Sequence, residues 1–459
     1  MQVNPNIFRE YDVRGVADRD LTDEAVILLG KAFGTMASRR GLREVLVGMD
    51  NRYSSPRLKS ALTSGLTSTG CNVIDLGTVV TPILYYARVH FEKEAAVMIT
   101  GSHNPSEDNG FKLALGPGTI YGEEIQYLRR LIEAGDFEKG EGSVGSADPV
   151  PGYKSMFREK ISLGPRKIKV AVDCGNGTAS YFAVELLSSL GCKVLELYCD
   201  PDPSFPNHHP DPVKRKNLTC LIDLVRNRGA DLGVAFDGDA DRIGVVDDSG
   251  EVIWGDQFMA ILWGEILQKY PGAPAIIEVK CSQALVDEVE RLGGKPVFYR
   301  TGHSLIKAKM KELHAPFTGE MSGHIFFADE YYGYDDAFYA AGRLLKLLSN
   351  SSEPLSAMVS RLPRYYSTAE TRVPCPDEDK FEVVKKLQDY FRGKYDVIDV
   401  DGVRVLFGDG WGLVRASNTQ PVLVARCEAK TPERLKEIAQ IMKGALEKYP
   451  QVSPFEWEY

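Results

Sequence analysis

The sequence predicts an α/β protein of several domains, and three observations indicate this fold class. The chain has 459 residues, which is about three times the length of a typical single domain. It is 43% hydrophobic and 26% charged, which is typical of a globular protein that buries substantial cores. A pattern of apolar strand, helix and second strand occurs three times along the chain, as expected for α/β domains.

The three copies of this pattern predict three βαβ units. In each copy an apolar strand leads to a helical segment, a Gly-x-x-Val turn and another strand. The strands begin at Val45, Val170 and Ile276, and the turns begin at Gly70, Gly191 and Gly294. The alternative interpretation is that the three copies are similar only by chance, because unrelated α/β units can show the same pattern. We expect three related α/β domains in series, with helices covering largely parallel sheets.

The last part of the chain predicts a separate α+β domain. It contains a turn signal at residues 397–402, several short strands and a final helix that begins after Thr431. Segments typical of linkers and turns lie at residues 149–152, 247–250 and 363–366. The predicted domains are therefore residues 1–150, 151–250, 251–366 and 367–459.

Charge and composition argue against several kinds of partner. A net charge of -9 argues against nucleic acid or an anionic membrane, both of which require a basic surface. The first residues lack a secretory signal, and no apolar run approaches the roughly 18 residues of a membrane span. The 8 cysteines include no Cys-x-x-Cys pair, which argues against zinc or redox chemistry. We expect a cytoplasmic protein.

A serine loop follows the apolar strand at residues 95–99. The loop reads TGSHNP at residues 100–105 and carries Ser102, which the rigid strand should present as an exposed nucleophile. His103 and Lys112 can stabilise charge on a transferred phosphoryl group. An ordinary turn is an alternative, whereas a serine hydrolase is less attractive because Gly-x-Ser-x-Gly is absent.

An acidic loop reads FDGDADR at residues 236–242 and lies between two apolar strands. Asp237, Asp239 and Asp241 would repel one another unless a hard cation such as Mg²⁺ lies among them, and a phosphate oxygen can complete its shell. A solvated acidic turn is a weaker alternative. An EF-hand is weaker still, because Arg242 replaces the required glycine and strands flank the loop.

A third loop, at residues 318–324, combines a carboxylate, a hydroxyl and an imidazole at alternate positions. Glu320 and Ser322 can bind a pair of sugar hydroxyls, and His324 can bind a phosphate or a further hydroxyl. Capping and loop hydrogen bonds are the alternative.

A fourth loop, at residues 413–421, has the chemistry of an anion site. Arg415 can hold a phosphate through paired hydrogen bonds, and Ser417, Asn418 and Thr419 add neutral donors. A simple polar turn is again the alternative.

A dinucleotide-binding loop is the main rival by motif. Residues 175–180 read GNGTAS and follow a strand, but Ser180 replaces the third glycine. This interpretation also leaves the serine and acidic loops unexplained.

In this order, the four loops resemble those of the α-D-phosphohexomutases, and within that family the bifunctional phosphomannomutase/phosphoglucomutase branch. The resemblance covers the whole chain, with further matches at residues 10–15, 110–112 and 301–303 and at Lys280. Ala240 stands where the family more often has glycine. Met321 and Asn418 are more similar to the mannose/glucose branch than to the glucosamine branch, which more usually has Gln and Gly there.

The resemblance implies three topologically similar α/β domains with mixed sheets covered by helices, plus a C-terminal α+β domain, around a central cleft. The serine, metal, sugar and phosphate loops would lie in the four domains in that order. It also implies a reversible transfer of phosphate between the 1- and 6-positions of mannose or glucose phosphate, through a phosphoserine and a hexose 1,6-bisphosphate. A phosphoglucosamine mutase and a sugar-phosphate phosphatase are alternatives.

The resemblance further implies roles for individual residues and for small molecules. The implied catalytic residues are Ser102, Arg14, His103, Lys112, Arg242 and His303. The implied substrate-binding residues are Tyr11, Lys280, Glu320, Ser322, His324, Arg415, Ser417, Asn418 and Thr419. The implied ligands of Mg²⁺ are Ser102, Asp237, Asp239 and Asp241. Glucose 1,6-bisphosphate would act as activator, small hexose phosphates would be the partners, and the chain would be a monomer or small homo-oligomer.

Overall fold

The computed structural model describes residues 3–417 and 420–458. The chain forms two compact units. The first unit consists of the chain up to Gly255 together with Ser322–Ser360, and the second consists of Asp256–Met321 together with the chain from Arg361 onward. Asn418 and Thr419, predicted to bind phosphate, lie outside the described residues. The finer boundaries at residues 150, 250 and 366 stay predictions.

The first unit begins with a seven-stranded mixed sheet. Its strands are β1 (Val13–Val16), β2 (Glu44–Met49), β3 (Asn72–Thr78), β4 (Ala95–Ile99), β5 (Asp108–Leu115), β6 (Gly118–Thr119) and β7 (Val144–Ser146). The accompanying helices are α1 (Asp23–Arg39), α2 (Ser55–Thr67), α3 (Thr81–His90), α4 (Glu123–Ala134) and α5 (Val150–Lys160). The strand order is β1-β5-β4-β2-β3-β7, with β6 paired to β5. All five residues of β4 are buried, so this central strand anchors the serine loop that follows it.

A five-stranded mixed sheet follows in the same unit. Its strands are β8 (Lys169–Asp173), β9 (Lys193–Leu197), β10 (Leu232–Phe236), β11 (Ile243–Asp247) and β12 (Val252–Ile253). The helices of this region are α6 (Ala183–Ser189) and α7 (Thr219–Arg228). The order is β12-β11-β10-β8-β9, and β10 and β11 form a buried antiparallel pair whose connection is the acidic loop.

The second unit begins with a smaller α/β region, after which the chain returns to the first unit. The elements of this region are α8 (Gly255–Lys269), β13 (Pro274–Glu278), α9 (Gln283–Arg291), β14 (Lys295–Tyr299), α10 (His303–Leu313) and β15 (Phe317–Gly319). Strands β13 and β14 are parallel. The elements that follow in the first unit are β16 (Ile325–Phe327), α11 (Ala337–Ser349) and α12 (Leu355–Ser360).

The C-terminal part of the second unit is the predicted α+β domain. Its strands are β17 (Tyr366–Ser367), β18 (Thr371–Pro374), β19 (Asp396–Ile398), β20 (Val403–Leu406), β21 (Gly410–Ala416) and β22 (Val422–Ala429). They form an antiparallel sheet of order β17-β22-β21-β20-β19, with β18 also paired to β22. Its helices are α13 (Lys380–Arg392) and α14 (Pro432–Leu446). The expected cap is present, because Thr431 Oγ1 accepts a hydrogen bond from Arg434 N.

The three predicted βαβ units are confirmed. Strands β2 and β3 flank α2, β8 and β9 flank α6, and β13 and β14 flank α9, and each strand pair is parallel. The expectation of largely parallel sheets is wrong on one side of each of the first two sheets, where β5 pairs antiparallel with β4 and β1, and β11 pairs antiparallel with β10 and β12. The sheets are therefore mixed. In the described ranges, every helix is too short or too polar to cross a lipid bilayer.

Candidate functional site

Ser102 lies on the loop that follows β4, as the sequence predicts. Its N–H donates to Thr100 Oγ1 at 2.9 Å, and its backbone has a φ of 49°, a left-handed conformation that is uncommon for serine. Its Oγ donates to Asp237 Oδ2 at 2.7 Å. The expected exposure of the hydroxyl is wrong, since Ser102 is only 1% exposed. The hydroxyl points at the acidic loop and is shielded from solvent.

The acidic loop brings three carboxylates together, each with no exposed surface. Asp237 Oδ1 accepts from the N–H groups of Asp241 and Arg242 at 3.1 Å, which curls the loop around this side chain. One oxygen from each of Asp237, Asp239 and Asp241 lies within 4.8 Å of the others. Burial, followed by repulsion from Asp239 and Asp241, raises the pKa of Asp237 well above its ordinary value.

The acidic loop and the serine loop approach each other at Gly238. A Cβ atom at this position would lie 2.3 Å from the main-chain oxygen of Ser102, a separation that no side chain tolerates. Glycine at this position therefore allows the backbone of the acidic loop to lie directly against the backbone of the serine loop.

The donor set fits a hard divalent cation. In the described part of the chain, Asp239 Oδ1 and Asp241 Oδ1 are buried and have no hydrogen-bond partner, which leaves two oxygen ligands available. All three carboxylates are oxygen donors, and oxygen is what Mg²⁺ requires. A second group of possible ligands is formed by Asp241, His324 and Asp335. The first group, next to Ser102, is the one that the sequence predicts.

Lys112 provides the positive charge among these acids. Its Nζ lies 2.6 Å from Asp239 Oδ2 and also bonds Asp241 Oδ2. Burial opposes the charge, but Asp239 and Asp241 raise the pKa of Lys112 well above its ordinary value. Lys112 is therefore protonated at neutral pH and partly neutralises the cluster.

Two histidines of the first unit have different surroundings. His103 Nδ1 lies 3.2 Å from Ser102 Oγ. Burial, then the positive charges of Arg242 and Arg14, lowers the pKa of His103 well below its ordinary value, so the ring is neutral at pH 7. His324 is almost fully buried, with its Nε2 2.9 Å from Arg242 Nε.

The contacts of His324 define its tautomer. Because an arginine Nε can only donate, His324 Nε2 accepts and Nδ1 carries the hydrogen in the neutral ring. Nδ1 lies 3.1 Å from the main-chain oxygen of Asp241 and 3.0 Å from Asp335 Oδ2. The ring therefore orients Arg242 next to the acidic loop, while the predicted contact of His324 with substrate stays a prediction.

Arg14 also contacts the serine loop. Its Nη1 donates to Asn104 Oδ1 at 3.1 Å, and its Nη2 pairs with Asp12 at 2.6 Å. Strand β1 carries Arg14 next to β5, which places a guanidinium at the loop that carries Ser102. Tyr11 and Ser322, predicted to bind substrate, are half-buried in the same unit.

A second cluster of polar side chains lies in the second unit. It includes Glu320, Asp401 and Arg415, which are connected through the backbone of Thr301 and Gly302. Gly302 N donates to Glu320 Oε1 at 2.8 Å, and Thr301 N donates to Asp401 Oδ2 at 3.0 Å. Arg415 Nε pairs with the same Asp401 oxygen at 2.9 Å. The predicted sugar-binding and phosphate-binding side chains Glu320 and Arg415 thus share one hydrogen-bond network.

Lys280 belongs to the same cluster. It lies 3.4 Å from Glu278 and 3.1 Å from Glu370, and Thr301 Oγ1 donates to Glu278 Oε1 at 2.7 Å. Burial opposes its charge, but Glu278 and Glu370 raise the pKa of Lys280 above its ordinary value. The positive charge of Lys280 in turn lowers the pKa of Glu370 to about 2. Lys280 is therefore positively charged at neutral pH, and its predicted contact with substrate stays a prediction.

His303 and Ser417 complete the predicted residues of this unit. His303 is the first residue of α10, directly after Gly302. Ser417 is buried at the end of β21, and its Oγ accepts from Gln420 N at 3.2 Å.

Several residues that hold these clusters carry no recognisable signal in the sequence. Thr81 Oγ1 donates to Asp239 Oδ2, Asp335 contacts His324, and Asp401 holds Arg415. Thr81 begins α3, far from the acidic loop in sequence, and no local pattern distinguishes it from an ordinary helix start. The turn signal at residues 397–402 contains Asp401 but indicated only a turn.

Four family models match consecutive parts of the chain. Residues 5–139, 151–250 and 254–366 match the α/β/α domains I, II and III described as phosphoglucomutase/phosphomannomutase, and residues 370–445 match the C-terminal domain of the same description. The order of the four matches is the order predicted for the four loops.

Whole-chain relatives agree with these matches. A phosphomannomutase/phosphoglucomutase of Pseudomonas aeruginosa is 45% identical over 442 residues, which are 96% of this chain and 95% of the relative. A phosphoglucomutase of Neisseria meningitidis is 41% identical over 97% of this chain and 98% of its own length. The crystal structure of a phosphoglucomutase/phosphomannomutase family protein of Burkholderia thailandensis has a TM-score of 0.93 at 39% identity, covering 99% of this chain and 100% of that one.

Proposed function

The chain belongs to the phosphoglucomutase/phosphomannomutase family, and from this membership we propose that it is a phosphohexomutase acting on mannose or glucose phosphate. It transfers phosphate reversibly between the 1- and 6-positions. One contact supports Ser102 as the phosphorylated residue: its Oγ donates to Asp237 Oδ2 at 2.7 Å. Asp237 belongs to the cluster of three buried acids, and Lys112 pairs with the other two. A phosphoryl group at this oxygen lies among the charges that phosphoryl transfer requires.

In the proposed reaction, phosphorylated Ser102 donates its phosphoryl group to the free hydroxyl of a hexose phosphate. The bond between phosphorus and Ser102 Oγ breaks and a bond from phosphorus to the sugar oxygen forms. The sugar hydroxyl proton passes to a base, and Ser102 Oγ takes up a proton to become a hydroxyl again. A hexose 1,6-bisphosphate results, and it returns its other phosphoryl group to Ser102. Glucose 1,6-bisphosphate therefore acts as the activator that phosphorylates the resting enzyme.

Asp237, Asp239 and Asp241 would hold Mg²⁺, with an oxygen of phosphorylated Ser102 completing the set. When bound, Mg²⁺ supplies positive charge that stabilises the phosphoryl oxygens. Arg14 and Arg242 supply further positive charge from the protein itself. Both guanidiniums are fixed by hydrogen bonds, to Asn104 and to His324 respectively, so they need little reorganisation during the transfer.

The second cluster supplies the groups that bind the sugar phosphate. Arg415, Ser417 and Lys280 hold the phosphate that is not being transferred, and Glu320 accepts hydrogen bonds from sugar hydroxyls. Asn418 and Thr419 are proposed to add donors at the same phosphate. Lys112 or His303 is proposed as the base that accepts the hydroxyl proton.

We also infer a cytoplasmic enzyme that acts on small-molecule substrates as a monomer or small homo-oligomer, without nucleic acid or membrane as a partner. The supporting observation is the net charge of -9, which favours local anion sites such as Arg415 over a broadly basic surface.

Mass spectrometry of the tryptic peptide spanning residues 94–112 tests this proposal. We expect phosphate on Ser102 after incubation with glucose 1,6-bisphosphate, and its transfer to added mannose 1-phosphate. Ser102→Ala should abolish both, whereas Ser106→Ala, on the same peptide, should leave both unchanged. Phosphate on Ser106, or release of inorganic phosphate in place of transfer, would contradict a mutase that uses Ser102.

A further inference from the structure

Arg52 makes an unusual set of contacts with the serine loop. Its Nη2 donates to the main-chain oxygens of Ser102 at 2.8 Å and Asn104 at 2.7 Å. Its Nη1 donates to the main-chain oxygen of Asp108 at 3.0 Å and also to that of Pro105. One guanidinium therefore binds four carbonyl groups along a single turn of the chain.

Asp50 extends this contact to the residue before the nucleophile. Its Oδ2 lies 3.2 Å from Arg52 Nε and accepts from Gly101 N at 3.0 Å. A Cβ atom at Gly101 would lie 2.4 Å from the guanidinium carbon of Arg52, so the backbone lies directly against this side chain. The pair holds the loop on both sides of Ser102.

Arg52 does not act as a solvating charge at the protein surface. Its side chain is only 1% exposed, and burial lowers the pKa of Arg52 from its ordinary value. A buried guanidinium is a costly means of stabilising a fold, and an apolar side chain of similar volume often serves as well. Its planar donors, however, can fix several carbonyl groups at once, which an apolar side chain cannot do.

We propose that Arg52 is a positioning residue that holds the loop of residues 101–108 in the conformation that directs Ser102 Oγ at Asp237. This inference rests on the proposed function, because its consequence is a rate of phosphoryl transfer. Ser102 keeps a left-handed φ of 49°, a conformation that persists only where the surroundings enforce it. The four bonds from Arg52 provide this enforcement.

Arg52→Lys is the informative substitution. Lysine keeps the positive charge, but a single ammonium cannot reach four carbonyl groups in the arrangement that the guanidinium fork binds. We expect the rate of Ser102 phosphorylation by glucose 1,6-bisphosphate to fall roughly 100-fold, the effect of displacing a reacting group by about 1 Å. The KM for hexose phosphate should change less than about threefold, because Lys280, Glu320 and Arg415, proposed to hold the sugar phosphate, belong to the other unit.

Arg88→Lys is the matched control. Arg88 is also partly buried, burial lowers its pKa, and it donates to the main-chain oxygens of Glu94 and Gly116. Neither carbonyl belongs to the serine loop, so this variant should phosphorylate at the wild-type rate.

The experiment measures the phosphorylation rate per folded molecule for wild type, Arg52→Lys and Arg88→Lys, and for Arg52→Ala with and without millimolar guanidinium. Hydrogen exchange of the peptide spanning residues 94–112 is followed in the same samples. We expect slow phosphorylation and faster loop exchange in Arg52→Lys, with guanidinium restoring at least part of the rate in Arg52→Ala. Wild-type phosphorylation by Arg52→Lys would overturn the positioning role alone. Absence of phosphorylation in the wild type would overturn the proposed function itself.

Discussion

Replacing Lys112 with methionine tests how the buried acidic cluster is stabilised. The Lys112 ammonium lies 2.6 Å from Asp239 Oδ2 and also contacts Asp241, and all three side chains are buried. At that separation and an effective dielectric constant of about 20, the contact with Asp239 supplies about 6 kcal/mol of Coulomb attraction. Methionine has a similar length and flexibility, so the variant removes charge without opening a large cavity.

Without metal, the three carboxylates of the acidic loop in Lys112→Met repel one another. One of them can bind a proton and relieve this repulsion, which limits the loss of stability. Neutralising a carboxyl group with an ordinary pKa of about 3.9 costs about 4 kcal/mol at pH 7 and about 1.5 kcal/mol at pH 5. The folded variant then holds a proton that the unfolded chain lacks, so its stability falls as the pH rises. We expect Lys112→Met to lose about 4 kcal/mol at pH 7 and about 1.5 kcal/mol at pH 5, in line with other broken buried ion pairs.

Urea unfolding in EDTA at both pH values measures this loss. Lys59→Met is the control, because Lys59 lies equally close to Asp75, at 2.6 Å, but the pair is 20% and 31% exposed. It should cost at most about 1 kcal/mol, with little dependence on pH. Added Mg²⁺ should stabilise Lys112→Met more than wild type, since a divalent cation replaces the missing charge. A loss that is equal at pH 5 and pH 7, or below about 1 kcal/mol at pH 7, would refute this reasoning.

Two further substitutions test other parts of the first unit. Burial raises the pKa of Asp336 to about 6, so the folded protein takes up a proton as the pH falls, and this group should add about 1 kcal/mol of stability between pH 7 and pH 5. Asp336→Asn should lack this increase in urea unfolding, and an unchanged pH dependence would contradict the assignment. Gly238→Ala should greatly slow phosphorylation of Ser102, because its Cβ would meet the Ser102 main-chain oxygen at 2.3 Å. Gly264→Ala, whose Cβ meets nothing within 4 Å, should leave that rate unchanged.

Much of the fold could be predicted from local patterns. Each βαβ unit is contiguous in sequence, so its strands, helix and turn produce a signal within a short window. Local patterns did not predict the antiparallel strands of the first two sheets, because the partners of these strands are chosen by tertiary packing, and only the family resemblance implied mixed sheets. Strand β5, for example, lies between β4 and β1, which is distant in sequence.

The same distinction applies to the candidate site. Ser102 and the three acids lie on loops whose residue types indicate their chemistry directly. Arg52 and Thr81 act through contacts with loops that are distant in sequence, and the sequence marks neither contact. The burial of Ser102 also could not be predicted, because it depends on the acidic loop lying against the serine loop.

Ala240 shows where the acidic loop carries backbone strain. Its φ of 57° lies in the left-handed region, which costs an alanine about 1–2 kcal/mol. The acidic loop keeps this conformation because Ala240 N donates to Asp237 O at 3.1 Å and Ala240 O accepts from Ala337 N at 3.2 Å. The methyl group also limits the conformations open to the unfolded chain. The strain therefore lies in the turn that brings Asp239 and Asp241 together, and it outweighs the conformational entropy that alanine removes from the unfolded chain.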